Sequence, residues 1–180
     1  MKKFELTTEF ITNAFGKKLF RIKALVEFGD VKAGELGGYV EKEENVSQDG
    51  NAWVSGDARV YGNAWVHGNA KVYDDAWVSD NAKVSGNAWV SGNARVSGNA
   101  WVYGDADYAL VQGFGTEFRC TTFYRGKNKK IMVNCGCFHG DLEGFRKQVK
   151  ETRNGKIAKE YLMIADLMEY HFTSEDSSDE

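Results

Sequence analysis

Nine residues recur at every sixth position from 53 to 101 and alternate between aromatic and basic: Trp53, Arg59, Trp65, Lys71, Trp77, Lys83, Trp89, Arg95 and Trp101. Indole faces attract ammonium and guanidinium groups. The alternation therefore suits cation–π contact, and it also offers a surface on which a protein or a nucleotide can stack. A second set lies further along. Cys135-Gly136-Cys137-Phe138-His139 puts three potential metal ligands at alternate positions, which in a single strand share one face, and Cys120 could reach them from a hairpin partner. Zinc takes such Cys and His sets tetrahedrally. Cys-x-Cys-x-His is not a usual zinc spacing, however, and strand cysteines behave as small hydrophobes, so no metal is expected. Asp141, Glu143, Glu151 and Glu160 read as caps and solvated helix faces. No paired-carboxylate or Ser-His-Asp spacing stands out, the glycines form no phosphate-binding loop, and no cofactor is called for.

The nine residues owe their spacing to a repeat. Val54-Ser55-Gly56-Asp57-Ala58-Arg59 is followed by Val60-Tyr61-Gly62-Asn63-Ala64-Trp65, and the phase holds through Val102-Tyr103-Gly104-Asp105-Ala106-Asp107. Backwards, Leu36-Gly37-Gly38-Tyr39-Val40-Glu41 fits, while 42–47 and 48–53 fit loosely, with Lys42 and Gln48 at nominally inward positions. A fixed period of six marks a solenoid and points to a parallel β-helix. In Ala52-Trp53-Val54-Ser55 side chains alternate across a strand, so Ala and Val point inward and Trp53 and Ser55 outward. Gly56-Asp57 and its counterparts turn the corners. Corner Asn and Asp residues (Asp57, Asn63, Asn69, Asp75, Asn81, Asn87) are placed to form stacked hydrogen-bonded ladders.

The Val-x-Gly-Asn-Ala-x unit resembles the hexapeptide-repeat, left-handed β-helix family, whose motif is an aliphatic residue followed four positions later by a small one. The resemblance covers residues 36–107 and implies left-handed winding, three sides and about eighteen residues per coil, and frequent homotrimers. It divides the repeat into coils 36–53, 54–71, 72–89 and 90–107. Three sides per coil flip the aromatic–basic parity between coils. Lys71 then stacks between Trp53 and Trp89, and Lys83 between Trp65 and Trp101, with strands about 4.8 Å apart. Such ladders also serve structure alone, by covering a thin solenoid and holding its register.

The flanks differ in character. Residues 1–35 alternate over Phe4–Ile11 and Leu19–Val26 around an Asn13-to-Lys17 turn, a β-hairpin expected to cap the open solenoid end. Residues 108–172 read as a small α+β domain in the order β-β-α-α. Its strands are expected over Thr116–Tyr124 and Lys130–Cys137, with a turn at Arg125-Gly126-Lys127-Asn128. Asp141 reads as a helix N-cap before Leu142, Phe145 and Val149, and a second helix is expected over Ile157–Phe172. Residues 173–180 form an acidic tail expected to be disordered. The fold expected is thus mainly β: a left-handed parallel β-helix of about four three-sided coils, an N-terminal β cap and a C-terminal α+β domain.

Function is less legible. A net charge of −3 gives no bulk attraction to nucleic acid or anionic membranes, and no apolar run is long enough to span one. Three cysteines, an odd number, fit a reducing cytoplasm, and Met1-Lys2-Lys3-Phe4-Glu5 lacks a signal peptide's apolar region. In the acyltransferases that share the hexapeptide motif, a solenoid histidine is the general base, and His67 is the only histidine of the repeat. The loops that build their substrate site have no counterpart here. A single histidine also departs from the three metal-binding histidines of carbonic anhydrases of this fold. The lead-in, the repeat and Val133-Asn134-Cys135-Gly136-Cys137-Phe138 together resemble hexapeptide-repeat proteins of bacteriophages and prophages. That resemblance implies a non-enzymatic, oligomeric binding protein in the host cytoplasm, inhibiting a bacterial defence component as an anti-CRISPR or other counter-defence protein does. The alternatives are a sponge for a nucleotide signal and an acyltransferase using His67.

Overall fold

The computed structural model describes residues 1–104, 107–117, 119–127 and 129–173. The chain divides into two compact units, Met1–Asp105 and Ala106–Glu180.

The first unit begins with three longer strands, β1 (Phe4–Thr12), β2 (Lys18–Ala24) and β3 (Leu36–Val40). Nine two-residue strands follow: β4 (Trp53–Val54), β5 (Arg59–Val60), β6 (Trp65–Val66), β7 (Lys71–Val72), β8 (Trp77–Val78), β9 (Lys83–Val84), β10 (Trp89–Val90), β11 (Arg95–Val96) and β12 (Trp101–Val102). They assemble into three sheets, β1-β2-β3-β5-β8-β11, β10-β7-β4 and β12-β9-β6. Each sheet is one side of a β-solenoid of about four turns. Parallel pairing joins Trp53 to Lys71 and Lys71 to Trp89, so a coil has three sides and eighteen residues. The backbone bonds are regular: Trp53 N–H donates to Ala70 O at 3.0 Å, Lys71 N–H to Ala88 O at 2.9 Å and Lys83 N–H to Ala100 O at 2.9 Å.

Sequence dictates this packing directly. The Ala and Val of each Ala-x-Val triplet are fully buried from Ala52 to Val102. Their small volumes fill a narrow interior without polar atoms. At two corners Asn side chains stack as ladders, Asn51 to Asn69 to Asn87 (3.1 Å each) and Asn63 to Asn81 to Asn99 (3.2 and 3.5 Å). An amide both donates and accepts, so the ladder can propagate. The third corner holds Asp57 and Asp75, two acceptors, and no such ladder forms there among the described residues.

The first coil departs from the expected phase. Tyr39 pairs with Arg59 and Val40 with Val60, so Gly38-Tyr39-Val40 occupies the Ala-x-Val place and Leu36 is exposed. Val40 and Val46 take the inward positions that the sequence phase gave to Lys42 and Gln48. Val46 bridges Val66, a two-residue longer step than the eighteen that separate Trp53 from Lys71. Two extra residues therefore sit between Val46 and Asn51, and they hid the register. Gly38 is required because a Cβ there would lie 2.7 Å from the Ala58 carbonyl oxygen.

The N-terminal hairpin closes this end, as its place in the sequence suggested. Gln48 accepts from the Lys3 and Phe4 N–H groups at 2.7 and 3.2 Å and donates to Phe4 O at 3.2 Å. The Lys3 ammonium, buried to 4% exposure, donates to Gly50 O (3.2 Å) and Ala52 O (2.9 Å), carbonyls with no earlier coil to pair with. Nearby, Asn45 Nδ2 donates to Gly62 O and Ala64 O, and Glu41 accepts from Gly62 N–H. Side chains thus stand in for the missing backbone strand at an otherwise open sheet edge.

The second unit is a four-stranded antiparallel sheet in the order β13 (Tyr108–Phe114), β14 (Arg119–Arg125), β15 (Ile131–Cys135) and β16 (Phe138–Asp141), with helices α1 (Leu142–Thr152) and α2 (Gly155–Thr173). The expected β-β-α-α order becomes β-β-β-β-α-α. β16 was hidden because Cys135–His139 reads as one strand, whereas Gly136 (φ 60°) turns the chain and pairs Cys135 with Phe138. Asn128 of the expected turn and the tail beyond Thr173 lie outside the described residues. Asp141 caps α1 by accepting from Gly144 N–H at 2.9 Å, as expected. Phe123, Val133, Phe145, Val149, Tyr161 and Ala165 form the core between sheet and helices. Arg146 ties α1 to α2 through Glu169 (2.8 Å) and Asp166 (2.7 Å), which with Glu143 raise its already high pKa further.

Two stability tests follow from the solenoid. Burial lowers the Lys3 pKa to about 8 from 10.5, against the opposing pull of Asp49. Lys3→Met leaves two carbonyls unpaired and is expected to cost about 1–3 kcal/mol in denaturant unfolding. Between pH 8 and 10.5 the unfolded chain holds this proton more tightly than the folded one. The stability of the native protein relative to Lys3→Met therefore rises with pH through that window. The second test uses two corners with the same φ, Gly86 (63°) and Gly92 (62°). A Cβ at Gly92 meets nothing within 4 Å, whereas one at Gly86 runs into the Tyr103 carbonyl oxygen. Gly92→Ala should cost about 1–2 kcal/mol from its left-handed backbone alone, and Gly86→Ala clearly more. Equal melting temperatures for the two variants would refute the steric account.

Candidate functional site

The alternation of aromatic and basic residues becomes three columns on the solenoid's outer faces. One runs Trp53–Lys71–Trp89, the second Arg59–Trp77–Arg95 with Tyr39 before it, the third Trp65–Lys83–Trp101. The register is the one that three-sided coils require. Lys71 Nζ lies 5.2 Å from the Trp89 ring centroid, Lys83 Nζ 5.3 Å from Trp101, and Arg59 and Arg95 approach Trp77 at 5.0 and 4.6 Å. Each such contact contributes about 0.5–1 kcal/mol at an exposed site.

The columns are not equivalent. Trp53, expected on the surface, is 3% exposed because Phe4 and Phe28 of the N-terminal segment pack edge-on against it at 6.2 and 5.4 Å. Lys71 in that column is neutralised by Asp30 at 2.6 Å. Trp77 is enclosed between two guanidinium groups. Trp65 and Trp89 are the open ones, at 40% and 48% exposure.

A second outward set lies two positions beyond the first, at the place Ser55 takes in its repeat, and the sequence reading did not count it among the binding residues. On the β6–β9–β12 face it comprises His67, Ser85 and Tyr103. The His67 ring lies flat on Trp65, with centroids 3.8 Å apart and planes at 22°. Tyr103 meets Trp101 edge-on at 6.0 Å, and on another face Tyr73 meets Trp89 in the same way at 6.2 Å. The missed signal was the composition of that second place: Trp-Val-His, Trp-Val-Tyr and Lys-Val-Tyr put a ring on the outer face beside the first column. This face therefore carries two aromatic pairs with Lys83 between them.

His67, the candidate base, is held by this stacking. Burial and the neighbouring Lys83 charge lower its pKa below 6.5. Among the described residues no carboxylate hydrogen-bonds its ring. The candidate metal set is not brought together. Thr121 pairs with Cys135 and donates to its sulfur at 3.1 Å, so the adjacent Cys120 points to the opposite face of the sheet. The turn at Gly136 moves His139 opposite Asn134, 2.7 Å from its side-chain oxygen, while Cys137 is exposed at the turn itself. No metal-binding group of three or more His, Cys, Asp or Glu occurs among the described residues.

Coils, three-sided pairing and an Ala-x-Val core define a β-solenoid repeat protein. The family model for the YdcK beta solenoid repeat matches two stretches of this chain, residues 52–68 and 88–104. These are the stretches that bear Trp53 and Trp65, and Trp89 and Trp101. No curated protein matches the chain. No helix among the described residues is long and apolar enough to cross a membrane.

The His67 environment gives a direct test. Its imidazole proton resonances should titrate below pH 6.5 in NMR, and Lys83→Gln should move the midpoint upward by removing a like charge. A folded-state pKa below the unfolded one also means that stability falls as pH drops through about 6.5. An unchanged midpoint in Lys83→Gln would show that burial alone sets the shift.

Proposed function

We propose that this chain is a non-enzymatic binding protein that acts as an oligomer, a homotrimer by the habit of the fold it resembles, and blocks a component of bacterial defence. The observation that carries the reading is the pair of half-exposed tryptophans, Trp65 and Trp89, held on rigid two-residue strands beside cations. The solenoid core is closed by alanine and valine without them. Aromatic anchors fixed on a rigid scaffold lose little conformational freedom on binding, which favours their use as contact residues. The resemblance to phage and prophage proteins supplies the partner class, a host defence component such as a CRISPR effector, met in the host cytoplasm.

The test uses bacterial strains that carry defined defence systems. Expression of the protein should raise phage plating efficiency on at least one of them, and the purified protein should retain that system's component and inhibit its activity. Trp65→Ala/Trp89→Ala should lose both effects while keeping the native circular dichroism spectrum. No gain in plating on any strain, or full activity of the double variant, would reject the reading. Native mass spectrometry decides the oligomeric state independently.

A further inference from the structure

The β6–β9–β12 face has a chemistry that the other two columns lack. Lys83 is a cation without a carboxylate partner among the described residues, whereas Lys71 is paired with Asp30. One side of the Trp65 indole is closed by His67, and the ring remains 40% exposed. Trp101 and Tyr103 form the opposite edge at 6.0 Å from each other, two strands and therefore about 9.6 Å away. Ser85 lies between His67 and Tyr103 in the second row, on the same outward side as Lys83. It is 2% exposed, and its hydroxyl has no hydrogen-bond partner. An open aromatic surface and an ammonium without a carboxylate partner among the described residues thus share one patch about three strands wide, with the Ser85 hydroxyl buried beneath it.

We infer that this patch is a nucleotide-binding site, in which a base stacks on the open side of Trp65 and a phosphate group pairs with Lys83. Stacking on an indole is tolerant of base identity because every base has a π-face. The ammonium supplies the charge that a phosphate needs. The His67 ring lies flat on Trp65 and backs it as a second aromatic surface, and burial and the Lys83 charge disfavour its protonated form. The face holds a single lysine in its column, and the chain is net negative at −3. A polynucleotide backbone calls for a track of cations, so the ligand class is a mononucleotide. The inference rests on reading the aromatic columns as a binding surface and names a ligand for one of them.

The experiment is a tryptophan-fluorescence titration of the full chain with AMP, with adenosine, inorganic phosphate and a short single-stranded RNA as parallel arms. AMP should quench saturably. Trp65→Leu and Lys83→Gln should each weaken binding about ten-fold or more, and Trp89→Leu, on a different face, should leave it unchanged. Adenosine and phosphate should each bind more weakly than AMP, and the RNA no more tightly per site. Non-saturable quenching, equal loss in Trp89→Leu, equal affinity for phosphate alone, or much tighter binding of the RNA would each overturn the inference. The same variants enter the plating assay above. Loss of plating by the Trp65/Trp89 double variant without AMP binding by the native chain would reject the nucleotide and leave the protein-binding reading standing.

Discussion

The structure depends on the parallel hydrogen-bond ladder between coils, in which N–H groups such as those of Trp53 and Ser55 reach carbonyls one coil on, at Ala70 and Val72. A two-residue strand such as Trp65–Val66 has no stability alone; it persists because coils on either side satisfy its polar groups and cover its apolar ones. Regular pairing requires regular coils, and regular coils require a small residue and a valine at fixed steps. The repeat is therefore the sequence form of a hydrogen-bonding constraint. A solenoid also has ends, where the ladder runs out of partners. At the N-terminal end this chain meets the problem with side chains, since Lys3, Gln48, Asn45 and Glu41 supply the donors and acceptors that a further coil would have provided.

The same regularity organises the surface. A three-sided coil and an alternating sequence place Lys71 and Lys83 between tryptophans and Arg59 between Tyr39 and Trp77, while Arg95 ends its column beyond Trp77. What separates the columns is their surroundings. The N-terminal segment buries Trp53 and pairs Lys71 with Asp30, two guanidinium groups enclose Trp77, and the β6–β9–β12 face is left with an open indole and an ammonium that has no carboxylate partner among the described residues. A structural role for cation–π ladders and a binding role for one face are compatible, because the ladder holds the rings rigid whether or not anything stacks on them.

Catalytic readings find less support in the geometry. His67 lies flat on Trp65, and its lowered pKa comes from burial and Lys83. The cysteines and His139 divide between two faces of the C-terminal sheet because a turn interrupts what reads as one strand.

Much of the fold was legible in the sequence. The six-residue period set strand positions, inward Ala and Val, corner ladders and, once three sides were assumed, the Trp–Lys–Trp register of Lys71 and Lys83. Asp141 and the buried face of α1 followed from local capping and periodicity. These are short-range properties, in which each residue's place depends on neighbours a few positions away. The tertiary structure decided the rest. The two extra residues before Asn51 shifted the first coil, because register is fixed by the coil above and not by the local pattern. The turn at Gly136 created β16. Which tryptophan is covered, and which lysine gains a carboxylate, depends on residues far away in the sequence, such as Asp30 beside Lys71 and Phe4 against Trp53. Exposure and charge pairing are properties of assembled surfaces, and no pattern within one repeat can encode them.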